Sequence, residues 1–106
     1  MSYRFMRVIV FFDLPTETND EKREYRAFRS FLIKNGFVMM QESVYSKIVL
    51  NNTVLDAVCR NIRRNKAKKG LIQVLTVTER QFEKMEFIAG ASQSSVIDSD
   101  EKLVVI

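Results

Sequence analysis

With 106 residues, 46% of them hydrophobic and 28% charged, the chain has the size and composition of a single globular domain spanning residues 1–106. It has no histidine and one cysteine, Cys59, which excludes Ser-His-Asp triads, histidine general bases, an internal disulfide and a cysteine-pair zinc site. The net charge is a modest +4. No apolar run is long enough to cross a bilayer, and the N-terminus lacks the layout of a signal peptide. We therefore expect a cytoplasmic protein without a membrane partner.

The first part of the chain predicts a strand followed by a helix. Residues 4–12 favour a strand because most of them are β-branched or aromatic, and Pro15 ends it. Thr18 and Glu21 have the spacing of a capping box, and apolar residues then recur at helical spacing as far as residue 35. Gly36 ends this helix.

The remainder predicts two strands, a second helix and further strands. Residues 37–41 and 44–50 favour strands joined by a tight connection at residues 42–43. A polar residue at 51, 52 or 53 caps the second helix, which Gly70 closes. The later elements are a strand at 71–78, a helical turn at 79–84, and short strands at 85–89 and 102–106.

This order of elements, β-α-β-β-α-β, predicts an α+β ferredoxin-like fold, in which two helices cover one face of an antiparallel sheet and extra strands follow at the C-terminus. The first strand, however, is apolar on both faces. An uncovered face carrying Phe5, Ile9 and Phe11 would be a large exposed apolar patch. We therefore expect a homodimer that packs through these sheet faces, with the final strands adding to the partner's edge.

Asp13 ends the apolar run VIVFFD, and its charge there has two possible explanations. Strand alternation places it on the face with Arg7, Ile9 and Phe11, so two copies would face each other across the twofold axis. Two nearby carboxylates repel each other, and Mg²⁺ between them would relieve that repulsion. The alternative is that Asp13 begins the turn before Pro15, and position alone favours this second reading.

Three motifs give the chain a family resemblance. FFDLP ends the first strand, QESVYSK follows the first helix, and LTVTERQF lies late in the chain. In combination and at these spacings they resemble the small CRISPR-associated adaptation protein, the dimeric partner of the spacer integrase, over residues 3–106. The part from ERQFEKMEFIAG to EKLVVI is similar to the variant that accompanies single-protein effector systems.

The resemblance implies a ferredoxin-like homodimer that serves the acquisition of new spacers in antiviral defence. It implies that Asp13 binds Mg²⁺ at the dimer interface and is the catalytic residue of a metal-dependent endonuclease acting on RNA or DNA. It also implies a second role, in which the protein bridges two integrase dimers and supports the duplex DNA that becomes a spacer. In that role the carboxylate of Asp13 can be dispensable.

Basic residues are the candidate contacts to nucleic acid. The run RNIRRNKAKK, residues 60–69, holds six bases and no acid, which suits a phosphate backbone, although a solvated helix end is the alternative. Lys22 and Arg23 lie in the first turn of helix one beside the Asp13 loop and are further candidates, with salt bridges to neighbouring acids as the alternative. The bases of the run are Arg60, Arg63, Arg64, Lys66, Lys68 and Lys69.

Two further polar features of the strands need partners. Arg7 lies within an apolar strand, and we expect it to belong to the dimer interface and to pair with a carboxylate across it, with substrate contact as the alternative. The hydroxyls of Ser43, Tyr45 and Ser46 could meet a phosphate, although Tyr45 is more typical of a packed strand aromatic.

Three functions remain open on the sequence. The first is a DNA-binding scaffold in spacer acquisition, and the second is a magnesium-dependent endonuclease in which a metal-bound water attacks a phosphodiester. The third is a ferredoxin-like regulatory domain that binds a small molecule, which ranks last because three glycines offer little for ligand-binding loops. The fold alone does not choose among them.

Overall fold

The computed structural model describes residues 5–90, which form one antiparallel sheet with the two long helices packed on one face. The strand order is β2-β3-β1-β4, so the first strand lies in the middle of the sheet. The predicted ferredoxin-like α+β fold is confirmed. The elements are β1 (Met6–Asp13), α1 (Asn19–Lys34), β2 (Val38–Gln41), β3 (Val44–Val49), α2 (Asn52–Arg64), β4 (Leu71–Thr78) and α3 (Glu79–Phe82).

Both long helices begin at side-chain caps that the sequence predicts. The Glu21 N–H donates to the Thr18 hydroxyl at 3.1 Å, and the Thr18 N–H donates back to the Glu21 carboxylate at 3.1 Å. These bonds complete a capping box and satisfy backbone donors that have no partner within the helix. At the start of α2 the Val54 N–H donates to the Asn51 side chain at 2.9 Å.

The core lies between the helices and one face of the sheet. Alternate residues of β1 point into it, and they meet Phe28 and Leu32 of α1 and Ile62 of α2. Phe12 is the centre of an aromatic cluster, since its ring centroid lies 5.1 Å from that of Phe28. The rings of Tyr45 and Tyr25 lie 5.7 and 5.8 Å from Phe12. Burying such a side chain contributes about 1.5–3 kcal/mol, so the end of β1 is firmly anchored.

Within residues 5–90 the opposite face of the sheet is covered only at its Arg7 end, by the short α3, and we call it the open face. Several of its apolar side chains are exposed, from 36% for Phe11 to 53% for Leu71. Ile9 is an exception, because it is only 5% exposed within the single chain. The open face consists of Phe5, Arg7, Ile9, Phe11, Asp13, Val44, Ser46, Ile48, Leu71, Gln73, Leu75 and Val77.

The predicted strand at residues 85–89 is wrong. The chain continues to turn after α3, because the Lys84 N–H donates to the Gln81 carbonyl and the Met85 N–H to the Phe82 carbonyl, each at 3.1 Å. A strand also needs a neighbouring strand to accept its backbone hydrogen bonds, and these residues have none within the described chain. The predicted strand at 102–106 lies outside the described residues. Within residues 5–90 no helix combines the length and apolar character needed to span a bilayer.

Candidate functional site

Asp13 projects from the open face because both of its neighbours are buried on the other side. Phe12 is 4% exposed and Leu14 is 8% exposed, whereas the Asp13 side chain is exposed to solvent. The ladder between β1 and β4 stays regular to its last pair, Asp13 with Leu71. The predicted face for Asp13 is therefore confirmed, and the carboxylate is held at the end of a rigid central strand.

The backbone at Asp13 is fixed from both sides. On one side the Phe12 N–H donates to the Ser43 carbonyl at 3.0 Å. On the other side Gly70 lies so close that a Cβ atom there would be 2.7 Å from the Asp13 carbonyl oxygen and 2.9 Å from the Leu14 Cα. Gly70 also has a φ of +96°, which L side chains rarely adopt. Only glycine fits this loop without moving the Asp13 backbone.

Asp13 borders a shallow recess of about 160 Å³ at this end of the open face. Ser43 and Gln73 are the other polar residues along it, and Phe11, Phe12, Val44 and Leu71 complete the lining. Within residues 5–90 no group of three or more acidic, cysteine or histidine side chains gathers that could enclose a metal ion. One chain therefore provides one carboxylate here. Mg²⁺ commonly binds through one or two carboxylates and keeps several waters, so the donors fit it once a second copy of Asp13 is added.

Arg7 finds its carboxylate within its own chain. Its Nε lies 2.6 Å from the Glu79 Oε2 and its second terminal nitrogen donates to Oε1 at 2.9 Å, which makes a bidentate pair. The guanidinium also lies 4.0 Å above the centre of the Phe82 ring and donates to the Ser46 hydroxyl at 3.4 Å. This pairing lowers the pKa of Glu79 below its ordinary value.

The expected pairing of Arg7 across a dimer is thus unnecessary, and the reason is topological. β4 lies beside β1, and α3 follows β4 without a loop, so Glu79 arrives next to Arg7. The Glu79 N–H donates to the Phe5 carbonyl at 3.2 Å and fixes that approach. The sequence alone did not single out Glu79, because its partner lies 72 residues away.

The predicted basic residues are all exposed, and we call the surface formed by the end of α2, the loop after it and the start of α1 the basic end. Arg60, Arg63 and Arg64 have the i, i+3, i+4 spacing that puts them on one side of α2. The following loop lies against α1, since the Lys68 N–H donates to the Glu24 carboxylate at 3.0 Å. The structure therefore brings this loop beside the helix that carries the other two predicted contacts, Lys22 and Arg23.

Nearby acids neutralise part of this basic end. Arg23 pairs with Asp20 at 2.7 Å, and the Lys69 ammonium lies 3.9 Å from the Glu21 carboxylate. Salt bridges, the alternative raised for the first turn of α1, therefore account for Arg23. A recess of about 240 Å³ separates the loop from α1. The other predicted bases, Lys22, Arg60, Arg63, Arg64, Lys66 and Lys68, form no salt bridge within residues 5–90.

Comparison with known proteins identifies the family. The sequence model of the family described as "CRISPR associated protein Cas2" matches residues 6–85. The chain belongs to this family. A Treponema denticola protein named "CRISPR-associated endoribonuclease Cas2" is 54% identical over 101 residues, which cover 95% of this chain and 100% of that protein.

Two further Cas2 relatives have the same name. The Streptococcus mutans protein is 46% identical over 101 residues, which cover 95% of this chain and 93% of the relative. The Ligilactobacillus salivarius protein is 38% identical over 101 residues, which cover 95% of this chain and 100% of the relative. The resemblance to the CRISPR adaptation family that the three sequence motifs predict is confirmed.

Proposed function

We propose that this member of the Cas2 family acts as a homodimer that binds duplex DNA and bridges two integrase dimers during spacer acquisition. The observation that supports the dimer is the open face. Leu75 in β4, which pairs with Ile9, and Ile48 in β3, which pairs with Arg7, are 50% and 46% exposed there. Soluble monomers rarely leave such a contiguous apolar surface in water, and a second copy offers an equally apolar surface to cover it.

The structure changes which residues would contribute most to that dimer. Ile9 is already buried and Arg7 is paired within the chain, so both would add little new apolar contact. Phe5 and Phe11 remain exposed, at 39% and 36%, and would face the partner. The exposed tail that follows α3, with Phe87 at 48%, would lie over the partner's sheet edge, as expected for the C-terminal part.

The proposed DNA contact is the basic end of the fold. Arg63 and Arg64 lie in the last turn of α2, and Lys66 and Lys68 follow in the loop. Phosphate contacts require exposed, positioned cations and little else, so this surface suits a duplex backbone. In a dimer two such ends would be available to one DNA fragment, which is the geometry a bridging protein requires.

The second candidate is a magnesium-dependent endonuclease, which would cleave RNA or DNA. It is favoured by the exposure of Asp13 at the end of β1 and by the names of the relatives. Asp13 from each chain would hold Mg²⁺ across the twofold axis. The ion supplies a water activated for attack on a phosphodiester. The chain itself fixes the carboxylate through Gly70 and the Phe12–Ser43 bond. No observation favours the small-molecule alternative.

The two functions separate in one experiment with Asp13→Ala. We expect magnesium-dependent cleavage of a labelled RNA strand to be lost, because the metal has no carboxylate to hold it. We expect integration of a labelled DNA fragment by the purified integrase to continue, because the variant keeps the open face and the basic end. Asp56→Ala, a change at an exposed carboxylate on α2, is the matched control and should keep both activities.

Each outcome has one meaning. Loss of integration by a dimeric Asp13→Ala variant would contradict the view that the carboxylate is dispensable for bridging. Cleavage that survives in Asp13→Ala would contradict the nuclease proposal. Light scattering on both variants establishes that they remain dimers before either activity is compared.

A further inference from the structure

Ser43 has a backbone conformation that its residue type disfavours. Its φ is +68°, and it is the one non-glycine residue with positive φ within residues 5–90. It occupies the second position of the two-residue turn between β2 and β3, where glycine or asparagine is preferred. The chain does use glycine at its other described positions of this kind, Gly36, Gly70 and Gly90. A serine here therefore needs a reason beyond turn formation.

The fold does not require the serine side chain at this turn. The hydrogen bond that ties the turn to β1 is accepted from the Phe12 N–H by the Ser43 carbonyl, at 3.0 Å. Any residue, including glycine, offers the same carbonyl. Glycine would make the bond without the strain of a Cβ atom at positive φ. What serine adds at this position is its hydroxyl.

Ser43 itself lines the recess that Asp13 borders. Ser43 and Asp13 both line the 160 Å³ recess, together with the amide side chain of Gln73. The direct backbone bond to Phe12, the neighbour of Asp13, fixes Ser43 relative to the carboxylate. A hydroxyl and an amide are hydrogen-bond donors, and phosphate oxygens are acceptors. An acidic residue and two residues with neutral donors therefore line one recess.

We propose that the Ser43 hydroxyl, assisted by the Gln73 amide, binds a phosphate oxygen of the nucleic-acid strand that enters the Asp13 recess. Asp13 carries no donor when ionised and repels phosphate, so neutral donors beside it allow a phosphodiester to approach. This inference rests on the proposed nuclease function, in which a strand reaches Asp13. It makes Ser43 a substrate-binding residue and gives a function to a serine in a strained turn.

Three variants separate the hydroxyl from the backbone conformation. Ser43→Gly removes both the hydroxyl and the strain, Ser43→Ala removes only the hydroxyl, and Ser43→Thr keeps the hydroxyl. We expect Ser43→Gly to raise the Tm by a few degrees while weakening the binding of a short labelled RNA strand about tenfold or more. Ser43→Ala should lose the same affinity without the gain in Tm. Ser43→Thr should bind within about threefold of wild type despite a lower Tm, because branching at Cβ worsens the strain.

Binding is measured by fluorescence anisotropy without Mg²⁺, so that the strand is not cleaved. A gel confirms that the strand is intact, and a DNA strand of the same sequence is a second arm. The slope of log affinity against log salt should not change in Ser43→Gly, because a neutral hydroxyl releases no counterion. Wild-type affinity of Ser43→Gly for both strands would overturn this inference and leave the nuclease proposal standing. If cleavage instead survives in Asp13→Ala, the nuclease proposal fails while the binding result still decides the role of Ser43. If wild type binds neither strand, both fail.

Discussion

Gly70→Ala tests whether the loop after α2 sets the position of Asp13. A Cβ atom at residue 70 would lie 2.7 Å from the Asp13 carbonyl oxygen and 2.8 Å from a methyl carbon of Leu14. The Asp13–Leu14 backbone must then retreat by about 0.5–1 Å to regain ordinary van der Waals contact. Because β1 is held by pairing on both sides, that movement disturbs the end of the strand that carries the carboxylate.

The destabilisation expected for Gly70→Ala has two parts, and the same substitution at Gly36 isolates one of them. The positive φ costs an alanine about 1–2 kcal/mol, and crowding against fixed backbone costs about 1–3 kcal/mol more. Gly36 has a similar φ, +88° against +96°, but its added Cβ would meet only the far end of the Lys47 side chain, which can move away. Gly36→Ala should therefore show the cost of the positive φ without the cost of crowding. The free energies of unfolding of the two variants should differ by about 1–3 kcal/mol.

The assay is thermal unfolding of wild type and both variants at one protomer concentration, since a dimer has a concentration-dependent Tm. At about 4–8 °C per kcal/mol, Gly70→Ala should melt at least about 4 °C below Gly36→Ala. The magnesium-dependent cleavage proposed for Asp13 should fall further in Gly70→Ala than in Gly36→Ala. Equal losses of Tm and of cleavage in the two variants would refute the view that Gly70 positions Asp13.

Three further predictions address the dimer, the DNA contact and the Arg7 pair. Light scattering at micromolar concentration should show a dimer for the wild type and a monomer for Leu75→Asp. The control Ile33→Asp, at a comparably exposed site on α1, should remain a dimer. A monomeric wild type would refute the open-face dimer. The double variant Arg63→Glu, Arg64→Glu should bind duplex DNA more weakly, and its slope of log affinity against log salt should fall by roughly two. The double variant Arg26→Glu, Arg29→Glu makes the same change in net charge on α1 and is the control. Equal effects of the two double variants would contradict a specific role of the basic end. Since Arg7 lowers the pKa of Glu79, that pair stabilises the fold above the unfolded-state pKa near 4.5 and loses its effect as pH falls through the folded-state pKa. The Tm of Glu79→Gln should accordingly lie below wild type at neutral pH and approach it in acid, and a gap that stays constant with pH would exclude ionisation of Glu79 as the cause.

Local patterns were sufficient to predict the elements from β1 to β4 and the face of Asp13. The period-two alternation of β1 identified two apolar faces, and this period continues unbroken to Asp13. The capping box at Thr18 needs residues only three positions apart, so it too could be predicted without any tertiary contact. The family resemblance rested on motifs of the same local kind.

The partners of the site residues depended on the tertiary arrangement. Glu79 reaches Arg7 only because β4 pairs with β1, and Gly70 meets Asp13 only because the loop after α2 returns to the end of that same strand. The segment at 85–89 has an apolar composition suited to a strand, yet it forms none, because β-structure requires a partner edge that composition does not specify. Long-range pairing thus determined that Arg7 is satisfied at one end of β1 and that the backbone is crowded at the other end, beside Asp13.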